Sequence, residues 1–296
     1  MELRVLRYFL IVAREQNITK AADALHITQP TLSRQLKELE EELGKKLLVR
    51  GNKNVTLTED GLLFRKRAEE IVELSDKTMQ ELKDNSHEIS GEIFIGSGET
   101  EGLKSVIHIM EKMRKKYPNV SFHINSGDKT DLLDKLDKGL LDFGVFLEPV
   151  DKVKYNYLKL PAKDILGVLA RKDSPLAKKG TITKEDLIDV PLIISRQLRE
   201  DSSLLRWLDV PLENLDVVAT YNLVYNASLM VDEGLGYAIT LDKLVNTTGD
   251  SNLCFIPLTP KITVDMYLMW KKFQIFSKAS DAFLEEIEKE LQKEND

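Results

Sequence analysis

The 296-residue sequence predicts a mostly helical N-terminal module, one long connecting helix, and a larger α/β body of two lobes. Three observations predict this. Residues 1–44 repeat apolar side chains at three- and four-residue intervals, the helical period. Residues 56–90 contain no proline, offer Thr58 as a capping residue and keep a helical period from residue 68 onward. From residue 91 onward short apolar runs alternate with helical patterns, the texture of strands joined by crossover helices.

Composition bounds the class. Hydrophobic residues make up 42% of the chain and charged residues 31%, as in an ordinary globular protein. The net charge of −7 argues against a nucleic-acid partner only if taken whole, because residues 1–58 carry +3, residues 59–90 carry −4 and the remainder −6. The positive charge is concentrated at the N-terminus. A single cysteine, Cys254, excludes an internal disulfide, fits a reducing compartment, and in "NLCFIPL" reads as a buried core thiol. "MELRVLRYFLIVA" is interrupted by Glu2, Arg4 and Arg7 and does not read as a signal peptide. No apolar run approaches the ~20 residues of a membrane span, so a cytoplasmic protein with no membrane partner is expected.

In the first helix Leu3, Leu6, Leu10 and Ala13 recur on one face, with Phe9 beside them. Asn17 closes it, and Thr19 is placed to cap a short second helix through Ala21, Ala22 and Leu25. "HIT" makes a tight connection to a third helix, with Thr28 as N-cap and Pro30 in the first turn, where its missing N–H costs nothing. That helix buries Leu32, Leu36, Leu39 and Leu43 and stops at Gly44. At about 100° per residue, Pro30, Arg34, Lys37 and Glu41 project from the opposite face, flanked by Thr31 and Ser33.

A short helix, a tight turn and a helix with a polar N-terminal half form the helix-turn-helix arrangement, whose second helix enters the major groove of double-stranded DNA. Gln29 can pair with an adenine edge, Arg34 with guanine, and Thr31 can touch a thymine methyl. Glu38, Glu40, Glu41 and Glu42 would be repelled by phosphates, so the helix is expected to enter by its N-terminal end and lift away. "LLVRG" and "NVTLT" around "GNKN" then predict a hairpin, a wing carrying Arg50 and Lys53 to the DNA backbone or minor groove. The competing reading is a three-helix packing domain with a solvated polar face.

The stretch "FLIVAREQNITKAADALHITQPTLSRQLKELEEELGKKLLVRGNKNVTLTEDG" closely resembles the winged helix-turn-helix signature of LysR-type transcriptional regulators, unbroken over about sixty residues. The resemblance implies that the positions matching Gln29, Pro30, Thr31, Ser33 and Arg34 face DNA and that the one matching Arg50 lies in the wing. Together with Thr28, Lys37 and Lys53 these are the expected DNA contacts. The implied fold is an N-terminal winged helix-turn-helix followed by an α/β, two-lobed, periplasmic-binding-protein-like (type 2) effector domain. Its expected divisions are 1–58 for DNA binding, 59–89 for a linker and dimerisation helix, and 90–296 for effector binding. Lobe one would take about 90–161 and 266–296, lobe two about 162–265, with crossings near Leu160–Ala162 and Pro260–Thr263.

In the long helix Ala68, Val72, Ser75, Met79 and Leu82 alternate at four and three, a coiled-coil interval. The alternative is a helix packed on its own chain. The resemblance favours a paired helix, hence a homodimer and, beyond it, a homotetramer as a dimer of dimers. In the α/β body, "GEIFIGSG", "VSFHINSG" and "LDFGVFLE" read as strands of a parallel sheet. A second set begins at "DILGVLARKD", followed by "PLIIS", "DVVATYN" and "YAITL".

Ligands in open α/β sheets bind beyond the carboxyl ends of strands. Three such places are "SGET" at 97–100, "SGDKTD" at 126–131 and "SRQLRE" at 195–200, which nominate Ser97, Thr100, Ser126, Thr130, Ser195 and Arg196 as contacts to a small-molecule effector. Helix capping explains Ser97, Thr130 and Ser195 equally well. Glu99, Glu101, Asp128 and Glu148 lie near the same strand ends, offset in part by Lys129, Arg196 and Arg199. A neutral, zwitterionic or cationic effector is therefore expected rather than a plain carboxylate.

His26, His87, His108 and His123 show no metal-ligand spacing, and no GxSxG, HExxH or GxxxxGK[ST] pattern is present. "EGLGYAIT" reads as a glycine helix stop before a strand. No catalytic residue, metal or cofactor is expected, and the protein is not expected to be an enzyme. The alternative is a soluble solute-binding module or enzyme whose N-terminal domain only mediates assembly; it predicts no salt-dependent DNA affinity.

Overall fold

A computed structural model describes residues 1–51, 54–83, 88–147, 151–196 and 203–293, and the chain divides into two units, Met1–Asp84 and Asn85–Asp296. In the first unit α1 (Leu3–Glu15) turns Val5, Leu6, Phe9 and Val12 inward. The buried face is thus rotated from the expected one, with Val5 and Val12 replacing Leu3, Leu10 and Ala13 at its centre. Helix α2 (Ile18–Ala24) is capped by Asn17, whose side chain accepts from Lys20 N at 3.0 Å. Thr19 lies inside that helix, which corrects the expected cap. Ala21 and Ala22 are buried where their small size lets α3 (Gln29–Leu43) approach.

Thr28 is the N-cap residue of α3, but its hydroxyl bonds that of Thr31 (2.8 Å) rather than a backbone amide. Leu32, Leu36 and Leu39 enter the core and Gly44 ends the helix in the left-handed conformation. Leu43, expected inside, is 38% exposed, and the fourth inward position belongs instead to Glu40. Strands β1 (Leu48–Arg50) and β2 (Val55–Leu57) pair antiparallel, Arg50 opposite Val55.

Helix α4 (Glu59–Lys83) begins at Thr58, whose hydroxyl accepts from Gly61 N (2.9 Å) and donates to Lys46 O (2.7 Å). Glu59 and Asp60 in its first turn favour the positive end of the helix dipole. A Cβ on Gly61 would stand 2.1 Å from Leu47 O, so only glycine permits this approach. Phe64 meets Phe9 edge-on at 5.0 Å, Ala68 is fully buried, and the Arg7 guanidinium holds Asp76 through two bonds of 3.1 and 2.5 Å. The expected coiled-coil seam is therefore divided. Ala68 is fully buried and Val72 and Ser75 half-buried, whereas Met79 and Leu82 are exposed. Leu63, Ile71, Leu74 and Leu82 form a different, exposed apolar stripe within an arc of roughly 100°.

The second unit holds β3 (Gly91–Ser97), α5 (Leu103–Lys116), β4 (Val120–Ser126), α6 (Lys129–Asp137) and β5 (Phe143–Leu147). There follow β6 (Tyr155–Arg171), β7 (Leu192–Ser195), α7 (Ser203–Leu208), β8 (Val217–Tyr221) and α8 (Val224–Asp232). The last elements are β9 (Tyr237–Leu241), β10 (Leu253–Pro257), β11 (Thr263–Lys271) and α9 (Lys278–Lys293). The strand order β4-β3-β5-β11-β6-β9-β7-β8, with β10 also on β6, makes two half-sheets joined through β6 and β11.

In lobe one, alternate residues separate two cores. Ile93, Ile95, Phe143 and Val145 face α5 and α9, while Phe94 and Phe146 pack with Leu132 and Leu136 of α6. In lobe two Leu166, Val168, Ile194 and Ile239 form one core, and Leu169, Ile193 and Ala238 pack on Val224, Ala227 and Val231 of α8. β3, β4 and β5 are parallel, as are β7, β8 and β9; the crossing strands run antiparallel to their neighbours. The sheet is thus mixed rather than wholly parallel. β6 begins at Tyr155, nine residues before the expected strand. Its pairing with β11 passes from Leu160–Met266 to Lys163–Asp265, leaving Pro161 and Ala162 as a bulge, where a proline in a strand is tolerated.

Candidate functional site

The polar face of α3 is built by burying its leucines. Thr28, Gln29, Pro30, Thr31, Arg34 and Lys37 are all exposed, and Ser33 is half-buried. Ser33 accepts a bond from Arg50 Nη1 at 2.8 Å, so β1 of the hairpin is tied directly to the outward face of α3. Lys53, the second expected wing contact, lies outside the described residues. Thr28 as N-cap and six positions of α3 are thus at least partly open to solvent, with Arg50 joined to them through Ser33.

The acidic half of α3 is spent within the first unit. Glu38 faces Arg34 Nε at 3.6 Å and accepts from Gln35 at 2.8 Å, Glu41 pairs with Lys37 at 3.3 Å, and Glu42 with the Met1 amine at 2.6 Å. Glu40 is different. Its carboxylate is buried and accepts from Leu47 N (2.8 Å) and Leu48 N (3.1 Å), with Lys46 Nζ at 3.4 Å. It therefore joins α3 to the start of the hairpin, and is not one of a row of solvated carboxylates as the sequence suggested. The sign was present: Glu40 follows Leu39 and stands four residues after Leu36, on the inward face.

In the second unit the expected ligand positions divide. Ser97 and Ser126 end the adjacent strands β3 and β4 opposite one another. Ser97 is buried, its hydroxyl bonded to Gly98 O at 2.7 Å, and Ser126 is exposed. Thr130 is not a cap: Asp128 caps α6, accepting from Asp131 N at 3.0 Å. Ser195 ends β7 and Arg196 follows it, exposed. Of the expected carboxylates, Glu101 pairs with Lys104 at 2.6 Å, and Glu148 lies outside the described residues.

Thr100 donates to Asp164, a buried carboxylate on β6. Burial pushes the Asp164 carboxyl above its ordinary range and the Glu101 charge adds to this; the Thr100 hydroxyl, the Gly102 amide and the Lys243 charge oppose it. Gly102 is packed so closely that a Cβ would stand 1.8 Å from Met266 Cε and 3.0 Å from Ala162 Cβ. Glu99, in the same loop, accepts from Val224 N at 2.5 Å, where α8 begins in the other lobe. Nearby Tyr221 donates to Ile239 O at 2.8 Å, and burial pushes its phenol up to about 12. Asp164 and Tyr221 were not singled out from the sequence, because their roles arise only when distant strands meet.

Cys254 on β10 is half-buried rather than a full core residue; its thiol donates to Ala170 O at 3.5 Å and burial raises its pKa. Among the described residues no group of three or more His, Cys, Asp or Glu is arranged to hold a metal, and no helix is long and apolar enough to cross a membrane.

Residues 3–62 match the profile of the bacterial regulatory helix-turn-helix proteins of the lysR family, and residues 86–292 that of the LysR substrate binding domain. The chain is 36% identical over 203 residues to the HTH-type transcriptional regulator BsdA of Bacillus subtilis (strain 168), covering 66% of this chain and 67% of that protein. The crystal structure of CbnR, a LysR family transcriptional regulator, superposes with a TM-score of 0.77 over 98% of this chain and 99% of that one. At 19% identity, that likeness is one of fold. Full-length BenM matches at 26% identity and a TM-score of 0.53, covering 100% of this chain and 98% of its own. With an exposed polar helix braced by its wing in one unit and two α/β lobes in the other, the chain belongs to the LysR family: it is a DNA-binding transcriptional regulator with an effector-binding domain, not an enzyme.

Proposed function

We propose that the protein binds a dyad-symmetric operator as a homodimer paired through α4, and assembles further as a dimer of dimers. It works in the cytoplasm and answers to a small molecule held between its lobes. The observation that carries the operator reading is the Arg50–Ser33 bond, which holds the wing beside the polar face of α3. Gln29, Thr31 and Arg34 meet base edges, while Thr28, Pro30, Ser33, Lys37, Arg50 and Lys53 set the helix against the backbone. The apolar stripe Leu63, Ile71, Leu74 and Leu82 supports pairing, since four large side chains on one helix face gain by being covered. A two-fold pair places its recognition helices one DNA turn, or a multiple, apart.

Ser97, Thr100, Ser126, Thr130, Ser195 and Arg196 are the proposed effector surroundings. Glu99 in the loop after β3, and Asp164 on β6 where Thr100 of that loop bonds it, support an effector that is neutral, zwitterionic or cationic. Calorimetry with a plain dicarboxylate checks this; tight binding sinks it. Effector binding changes the angle between lobes and so the spacing of the DNA-binding pairs.

The operator reading is tested by selecting genomic fragments with the purified protein and footprinting the recovered DNA at two salt concentrations. A dyad-containing sequence whose affinity falls steeply with salt is expected. Retention that ignores sequence at both concentrations refutes the operator reading.

A further inference from the structure

We propose that Glu99 is an interlobe latch: a lobe-one carboxylate that completes the N-terminus of a lobe-two helix and so holds the two lobes in their resting orientation. Val224 is the first residue of α8, and its N–H has no partner within the helix. The preceding residue, Leu223, is the N-cap and makes no side-chain capping bond. The amide is satisfied from the other lobe instead, by Glu99 Oε2 at 2.5 Å, 125 residues away in sequence. A carboxylate at this position also complements the positive end of the helix dipole.

The loop that carries Glu99 is held on both sides of that residue. Thr100 donates to Asp164 on the crossing strand β6, and Gly102 is wedged against Met266 and Ala162. On the other side the Gly98 carbonyl accepts from the buried Ser97 hydroxyl at 2.7 Å, where β3 ends. A fixed base with an arm extended across the cleft transmits lobe position to the hinge strands. Glu99 itself remains exposed, so the contact opens without uncovering either core. If the interlobe cleft is the effector site, as proposed above, an entering ligand must break or replace this bond.

The test needs no ligand. Spin labels at R114C in lobe one and K178C in lobe two, both exposed positions, report the interlobe distance in the full-length protein with C254S as background. The labelled protein is diluted into unlabelled protein so that each assembly holds one labelled chain. Glu99→Ala removes the latch. Leu223→Asp gives α8 its own acidic cap and repels Glu99, leaving lobe one untouched. Both should lower the closed-to-open ratio about two- to fivefold, seen as a broadened or lengthened distance distribution, with unchanged thermal unfolding as the control for folding. Distributions in both variants that superimpose on the wild type overturn the latch, and such a result leaves the effector reading standing for calorimetry to judge.

Discussion

Replacing Glu40 by alanine isolates the joint between the recognition helix and the wing. The carboxylate is 3% exposed and accepts from the amides of Leu47 and Leu48, which are themselves buried. Truncation leaves two donors in a site that excludes most water. Each unsatisfied buried amide costs about 1–3 kcal/mol, so the loss should be about 2–6 kcal/mol. Lys46 contributes little, because its side chain is 74% exposed and its ion pair is screened. A small unit whose total stability is of order 5–15 kcal/mol feels such a loss strongly.

Glu40→Gln retains an acceptor of the same shape but loses the charge assistance, which roughly halves the strength of each bond. A cost near 1 kcal/mol is therefore expected, well below that of alanine. Both tryptophans, Trp207 and Trp270, lie beyond the first unit, so intrinsic fluorescence does not follow this event. Amide hydrogen exchange of the peptide containing Leu47 and Leu48 does. Protection there should fall steeply in Glu40→Ala and mildly in Glu40→Gln, with operator affinity falling in the same order as the wing loses its register on α3. Wild-type protection and affinity in Glu40→Ala would refute the idea that this carboxylate couples the two elements.

Arg34→Ala should cost about 1–3 kcal/mol of operator binding if Arg34 makes a bidentate base contact, read by titration against cognate and mutated operators; unchanged affinity and selectivity remove that role. Gly61→Ala drives a methyl toward Leu47 O and should destabilise the first unit by about 1–3 kcal/mol, visible as accelerated exchange in α4's first turn. Leu74→Glu places a charge in the exposed stripe of α4 and should shift sedimentation toward monomer without loss of helix content. For Asp164, burial raises the folded pKa above the unfolded one, so its ionised form destabilises the fold above the folded value. That penalty fades as pH falls through it, and Asp164→Asn should raise Tm at neutral pH by an amount that disappears in acid.

The N-terminal unit was legible because its elements are local. Periods of three and four, a proline in the first turn and a terminal glycine each act within one helix, and α3 runs Gln29–Leu43 as its pattern implies. What escaped was the choice among near-equivalent faces. In α1, Leu3 and Leu10 satisfy the helical period as well as Val5 and Val12 do, and only packing against α3 and α4 decides between them. In α4 the heptad reading placed Ala68 at a surface that α1 already occupies, because a single helix pattern does not state which partner it will meet. The start of β6 was lost at Pro161, a residue that stops most strands and here occupies the bulge between the lobes. Glu99 and Asp164 were invisible as partners of Val224 and Thr100 for a simpler reason: they meet them across 125 and 64 residues.

The acidic half of α3 has a sharper explanation than repulsion alone. Arg34 and Lys37 each face a carboxylate four residues later, so in the free protein the recognition face is internally neutralised. Exposed pairs of this kind are worth only about 0.3–0.5 kcal/mol. If Arg34 and Lys37 contact DNA as proposed, a base edge or phosphate would replace Glu38 or Glu41 at small cost. The same carboxylates then remain behind at the rear of the helix, where they oppose any docking that lays its full length along the phosphates. Glu40 does not take part in this exchange, since its oxygens are committed to Leu47 and Leu48. Within one acidic run, two residues pair with the basic side chains and one fixes the wing, an arrangement that supports the proposed entry of the helix into a groove by its N-terminal end.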